Sequence, residues 1–210
     1  LSLSLGSVYI PLGEVLKSIT FQPIENQTWN YIILNYRLPK AIASLVIGGG
    51  LSLCGLLMQT LFRNPLAGPY VLGLSSGASL GVALVILGGS SIGLSLSGQL
   101  SERWLIIIAS SFGSLLVMVS ILATAKRVKD TMALLIVGLM FASITSAIVS
   151  VLSFFSPSTD LQKFVFWSLG NLGNLSWYEV SILSLISLFG LLLSIILIKP
   201  LNALLLGEKY

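Results

Sequence analysis

Charged side chains are absent from five long stretches of this chain, at 41–62, 64–101, 104–125, 131–159 and 180–198. These stretches are dominated by Leu, Ile, Val, Phe, Ala, Gly and Ser. A charge at the centre of a bilayer-crossing helix costs roughly 2.5–3.5 kcal/mol on insertion scales, so such gaps mark segments that cross a membrane. About 20 apolar residues at 1.5 Å each suffice to cross a hydrocarbon core of about 30 Å. A transmembrane barrel would show alternation of apolar and polar residues over strands of about 10 residues, and the chain has none. The pattern predicts an all-α, polytopic transmembrane helical bundle. A single domain over 1–210 is expected, incomplete at both ends, with spans near 1–5 (partial), 41–62, 71–88, 104–125, 131–155 and 177–198.

The breaks between spans carry turn chemistry. Arg63-Asn64-Pro65-Leu66-Ala67-Gly68-Pro69 places two prolines four residues apart, and proline neither donates a backbone hydrogen bond nor tolerates helix at the residue before it. Gly88-Gly89 leads into a Ser/Gly-rich connector, and Lys126–Asp130 separates the fourth and fifth spans. After Pro157, Thr159-Asp160-Leu161-Gln162 matches a capping box opening a short helix, which Gly170 and Gly173 would end. Lys199-Pro200 is expected to stop the last span. Within the polar connection 7–40, Val15, Leu16 and Ile19 share one helical face beside Glu14 and Lys17, as in a helix lying on a membrane surface.

Composition narrows the function. With 55% hydrophobic and 9% charged residues and a mean hydropathy of +1.00, this is no soluble domain, in which about 25% of residues are charged. The net charge of +4 lies mostly in loops and argues for membrane orientation, not nucleic acid. Arg63, Lys126, Arg127, Lys129, Lys199 and Lys209 crowd short loops, whereas Lys17, Arg37, Lys40, Arg103 and Lys163 are spread over much longer ones. The denser side is expected to be cytoplasmic. There is no His, and Cys54 stands alone, so neither a His-based metal site nor a disulfide is expected.

Small residues recur at helical spacing: Gly73, Gly77 and Gly81, then Ser44, Gly48 and Ser52, then Ser146 and Ser150. Such stripes let helix backbones approach closely in a bilayer, where packing drives association. Apart from Glu179 at a rim, the spans lack the ionisable groups that mark ion-coupled pumps. No GxxxxGK[ST] loop is present to bind nucleotide phosphates. A passive pore, or a pathway driven by another subunit, remains. An integral enzyme would need a catalytic base that the spans do not offer, so no catalytic, metal or cofactor residue is assigned.

Arg37-Leu38-Pro39-Lys40 and the run GGGLSLCGLLMQTLFRNPLAGPYVLGLSSGASLG resemble the signature of the FecCD family of ABC-transporter permeases, importers of iron-siderophores, haem and vitamin B12. Gln59, Asn64, Pro65, Leu66, Ala67, Pro69, Leu72, Gly73, Ser75, Gly77 and Ala78 stand at signature positions. Lys40 replaces a second Arg, and Cys54 sits where Ser is common. The segments 158–173 and 200–208 also resemble family elements, so the likeness covers essentially the whole chain.

The resemblance implies a non-catalytic permease subunit in the cytoplasmic membrane, roughly the first six of ten spans. It would work as a homodimer or beside a homologous subunit, with a cytoplasmic ABC ATPase that binds the ATP and an extracytoplasmic solute-binding protein. It further implies that Arg37 and Lys40 dock the binding protein, that Asn64, Leu66 and Thr131 contribute to a cytoplasmic gate, and that Leu206, Gly207 and Glu208 touch the ATPase. Gly48, Gly73, Gly77 and Gly81 are expected to pack helices. The alternative is a secondary, ion-coupled transporter, which would need a coupling-ion site at mid-membrane.

Overall fold

The charge-free stretches form helices over nearly the lengths expected, in a computed structural model that describes residues 2–20, 22–24, 26–89, 99–128, 131–173 and 175–206. The helices are α1 (Leu12–Ile19), α2 (Gln27–Ile32), α3 (Leu38–Phe62), α4 (Leu74–Gly89), α5 (Gln99–Ala125), α6 (Thr131–Phe155), α7 (Ser158–Ser168) and α8 (Trp177–Leu206). A π turn, Ile33–Arg37, joins α2 to α3, and a 3-10 turn, Pro69–Leu72, precedes α4. Among the described residues all regular structure is helical.

Four stretches, Gln27–Phe62, Glu102–Ala125, Ala133–Phe155 and Trp177–Ala203, are long and apolar enough to cross a bilayer. The α4 helix has 16 residues, about 24 Å at 1.5 Å per residue, so the third expected span consists of the 3-10 turn and α4 together. Large apolar side chains such as Ile108, Phe112, Met140, Phe154, Ile186 and Ile196 are exposed on this single chain. Helices apolar on nearly every face suit a membrane protein.

The chain divides into two compact units, Leu1–Leu57 with Asn171–Tyr210 and Met58–Gly170. In the second, α4 packs on α5, α6 and α7. At one end Phe62, Ala67 and Leu72 bury themselves with Val117, Ile121 and Leu135. At the other, Val82, Ala83, Ile86 and Leu87 close on Phe164, whose ring stacks on Trp167 at 6.1 Å between centroids.

Glycines set how closely these helices approach. A methyl group added at Gly77 would lie 2.6 Å from the Gly113 carbonyl oxygen, and one at Gly81 would lie 2.1 Å from that of Ala109. These are backbone obstacles that no rotamer change relieves. The expected roles of Gly77 and Gly81 therefore have a physical basis. Their counterpart Gly113, in α5, stands outside the GxxxG spacing and escapes a search for stripes.

Gly48 behaves differently. An added methyl there meets nothing within 4 Å among the described residues. The expected packing at Gly48 is thus not formed in this structure. The Ser44 and Ser52 hydroxyls on the same stripe donate to the carbonyls of Lys40 and Gly48, four residues back at 2.8 Å each. Such back-bonding hides a hydroxyl in an apolar setting without a partner helix.

In the first unit, Ile10, Val15 and Ile33 are buried among Leu3, Trp29 and Ile32. The α1 helix is amphipathic, but with a rotated face. Val15 and Ser18 point inward, while Leu16 and Ile19, expected beside Val15, are exposed. The Ser18 hydroxyl donates to Asn30 Oδ1 at 2.7 Å, tying α1 to α2.

Three boundaries depart from expectation. Residues 2–4 form a turn instead of the end of a span. The α7 helix begins at Ser158 after Pro157, with no side-chain cap, so Thr159 lies inside the helix and the expected capping box does not form. A reciprocal capping box forms at α8 instead. Glu179 Oε2 accepts from the Ser176 amide at 2.7 Å, and the Ser176 hydroxyl accepts from the Glu179 amide at 3.3 Å. Finally, α8 runs through Pro200 to Leu206. Proline removes only the hydrogen bond to the residue four before it, which kinks a helix without necessarily ending it.

Candidate functional site

The signature turn is built from both of its ends. After Phe62 the backbone at Arg63 turns left-handed, at φ 48°. The Asn64 amide then donates back to Gln59 O at 3.1 Å. The Asn64 side chain closes the turn locally, its Oδ1 accepting from the Leu66 amide at 2.9 Å. This is the Asx geometry for which Asn is favoured at turns. Gln59 Nε2 donates to the Pro65 carbonyl at 3.1 Å, so its amide braces the turn. In the sequence Gln59 stands only as a signature position, without a structural role.

Ala67 and Leu72 anchor the far side of the turn in the α4–α5–α6 core. Leu66, just before Ala67, projects outward, 80% exposed, and Tyr70, between the two anchors, is exposed as well. At Gly73 φ is +71°, and a methyl there would lie 2.8 Å from the Gly138 carbonyl oxygen. The turn is therefore fixed against α6 by a glycine–glycine approach, and it presents one apolar side chain. Thr131 is the first residue of α6, and its side chain lies outside the described residues. So does the side chain of Leu206 at the end of α8, and Gly207 and Glu208 lie wholly outside them.

Because Asn64 is committed to the turn, its two aspects separate experimentally. Asn64→Ala removes the Oδ1 acceptor and is expected to destabilise the protein by about 1 kcal/mol, the usual worth of one such bond. Asn64→Asp keeps the acceptor and is expected to preserve stability. Equal melting temperatures for the two variants would contradict the bracing role.

The basic collar lies at the start of α3. Pro39 is buried in the helix's first turn, and the preceding π turn widens the backbone where a proline ring would otherwise clash with the carbonyl four residues back. This turn carries Arg37 toward residues 2–10. Its Nη1 donates to Leu3 O at 2.7 Å and Ser4 O at 3.0 Å, and its Nη2 donates to Val8 O. Lys40 is exposed. Both line an open recess of about 440 Å³, with Tyr36 and the loop Gly6–Val8 on its walls. Nearby, the Trp177 indole donates to Leu34 O at 3.0 Å, anchoring α8 to the π turn.

Among the described residues no group of three or more His, Cys, Asp or Glu side chains could hold a metal ion. The charged groups that the structure pairs sit at helix ends, as in Glu14–Lys17 at 2.7 Å and Glu102–Lys163 at 3.7 Å.

The model of the FecCD transport family matches residues 1–210. The vitamin B12 import system permease protein BtuC of Klebsiella pneumoniae subsp. pneumoniae is 34% identical over 209 residues, covering 99% of this chain and 57% of that protein. The BtuC of Shigella boydii serotype 18 is 34% identical over 208 residues, covering 98% of this chain and 56% of its own length. This chain thus spans little more than half the length of these relatives. Among solved structures, an inward-facing conformation of an ABC transporter described as of metal-chelate type superposes with a TM-score of 0.78 at 26% identity, covering 99% of this chain and 60% of that one. With the signature turn, the collar and the helix order all in place, the chain belongs to the FecCD transport family.

Proposed function

We propose that this chain is the permease part of an ATP-driven ABC importer. Its cargo would be an iron-siderophore or a related large metal chelate, such as haem or cobalamin, carried across the cytoplasmic membrane. The observation that carries the reading is the family match over the whole chain, joined to 34% identity with vitamin B12 import permeases. The permease itself performs no chemistry. A cytoplasmic ATPase subunit supplies the energy, a second permease copy or a homologous subunit completes the pathway, and an extracytoplasmic binding protein delivers the cargo.

The local geometry suits these roles. An exposed apolar Leu66 on a braced turn can seal a constriction without holding a solute, and Asn64 shapes the turn that presents it. The exposed Lys40 on a collar suits docking, because rim charges steer association and register more than they add affinity. Leu206, the last residue of α8, with Gly207 and Glu208, which follow it in the sequence, is the part of the chain assigned to the ATPase.

Uptake by cells carrying the full-length permease and its partner subunits tests the cargo class. Radiolabelled cobalamin, labelled haem and a radioiron-labelled ferric siderophore are offered separately. Accumulation of one of them, abolished when the permease gene is removed, is the expected result. Absence of uptake for cobalamin, haem and siderophores alike would refute the proposed cargo class.

A further inference from the structure

Family likeness gives Arg37 and Lys40 one shared role, yet their surroundings differ. The Lys40 ammonium has no hydrogen-bond or ion-pair partner among the described residues, and the residue is exposed. Arg37 is half-buried, and three of its five N–H donors are spent on the carbonyls of Leu3, Ser4 and Val8. The guanidinium holds these donors in a rigid planar fork, whereas a lysine ammonium is a point charge on a flexible stem.

The segment these carbonyls belong to is closed on itself. The buried Ser4 hydroxyl donates to Ile10 O at 2.6 Å, and the Ile10 amide donates back to Ser4 O at 3.1 Å. Arg37 fills the inside of the resulting loop. Gly6 leaves room for it: a methyl on Gly6 would come 3.0 Å from Arg37 Nη2. Ile10, fully buried, then pins the loop to Val15 and Ile33.

We propose that Arg37 is a positioning residue, whose guanidinium fastens residues 3–8 to the start of α3, and that Lys40 alone presents the docking charge of the collar. The fastened loop forms the wall of the recess in which Lys40 stands. The assignment to Lys40 rests on the docking reading above; the fastening of the loop does not.

Hydrogen exchange on the full-length permease in lipid nanodiscs tests the fastening without any partner protein. In Arg37→Ala, and equally in Arg37→Lys, the Ile10 amide is expected to exchange about tenfold faster, the change that loss of about 1.4 kcal/mol of local stability produces. Gly6→Val keeps the arginine but crowds its Nη2, and it is expected to accelerate the same amide. Lys40→Glu should leave that amide unchanged. Unaltered Ile10 exchange in both Arg37→Ala and Gly6→Val would overturn the fastening. Docking of the extracytoplasmic binding protein, measured on Lys40→Glu across salt concentrations, then tests the charge. A weakened, less salt-dependent association supports the assignment. Unchanged docking refutes the role of Lys40 while leaving the exchange result to decide that of Arg37.

Discussion

Replacing Gly81 or Gly113 with valine is expected to destabilise the protein by about 3 kcal/mol, the upper part of the range for overpacking a close-packed interior. A methyl at Gly113 would lie 2.1 Å from the Gly77 carbonyl oxygen and 2.9 Å from its carbon, and at Gly81 the Ala109 carbonyl oxygen stands at 2.1 Å. Since the obstacle in each case is a neighbouring helix backbone, relief requires α4 and α5 to separate. Separation exposes apolar surface and forfeits the dispersion contacts that hold helices together in lipid. Even alanine is expected to be costly at these two positions. At Gly138 the obstacles are Val71 O at 2.6 Å and Leu72 Cα at 2.8 Å, so a side chain there would push the 3-10 turn off α6 and disturb the Leu66 turn.

Gly48→Ala provides the contrast. Nothing lies within 4 Å of the added methyl, and alanine in a helix interior is favoured over glycine by about 1 kcal/mol. Thermal unfolding of the four glycine variants in detergent should therefore separate Gly48→Ala, at or above the parent stability, from the valine variants at Gly81 and Gly113 and a Gly138→Val variant. Equal losses at all four positions would contradict the account of the α4 contacts.

Much of this architecture was legible in the order of charges. The expected spans 41–62, 104–125 and 131–155 lie within α3, α5 and α6, because desolvating one charge outweighs any local helix preference. The turn at 63–69 was legible because its two prolines act on the backbone directly. Boundaries set by one hydrogen bond were harder to read. Thr159 matches a capping box, but Pro157 already supplies a φ of −58° at the N-cap, so the helix begins two residues earlier, at Ser158. The Ser176–Glu179 box forms instead, although in the sequence Glu179 reads only as an acid at a rim.

The site divides in the same way. The signature turn and the collar could be found from residue order, since proline, asparagine and glycine there leave the backbone few choices. What each side chain does was not legible, because it depends on residues distant along the chain. Arg37 meets carbonyls about thirty positions away, and Gly73 meets Gly138 across α6. At Gly48 no described atom lies within 4 Å of an added methyl, as a stripe at the right spacing does not specify which helix lies against it.

We propose that the pathway is driven by a partner's ATP and not by an ion gradient. The stretches 41–62, 104–125 and 131–155 carry no Asp, Glu, Lys or Arg, the groups that commonly mark ion-coupled pathways. A ligand-driven shift between outward- and inward-open states requires that ATP binding act differently on the two. The direct measurement is uptake of labelled cargo by the full-length permease, reconstituted in proteoliposomes with its ATPase and binding protein. The account predicts uptake that requires ATP hydrolysis and persists after ionophores collapse proton and sodium gradients. Uptake without ATP, driven by an imposed ion gradient, would contradict it.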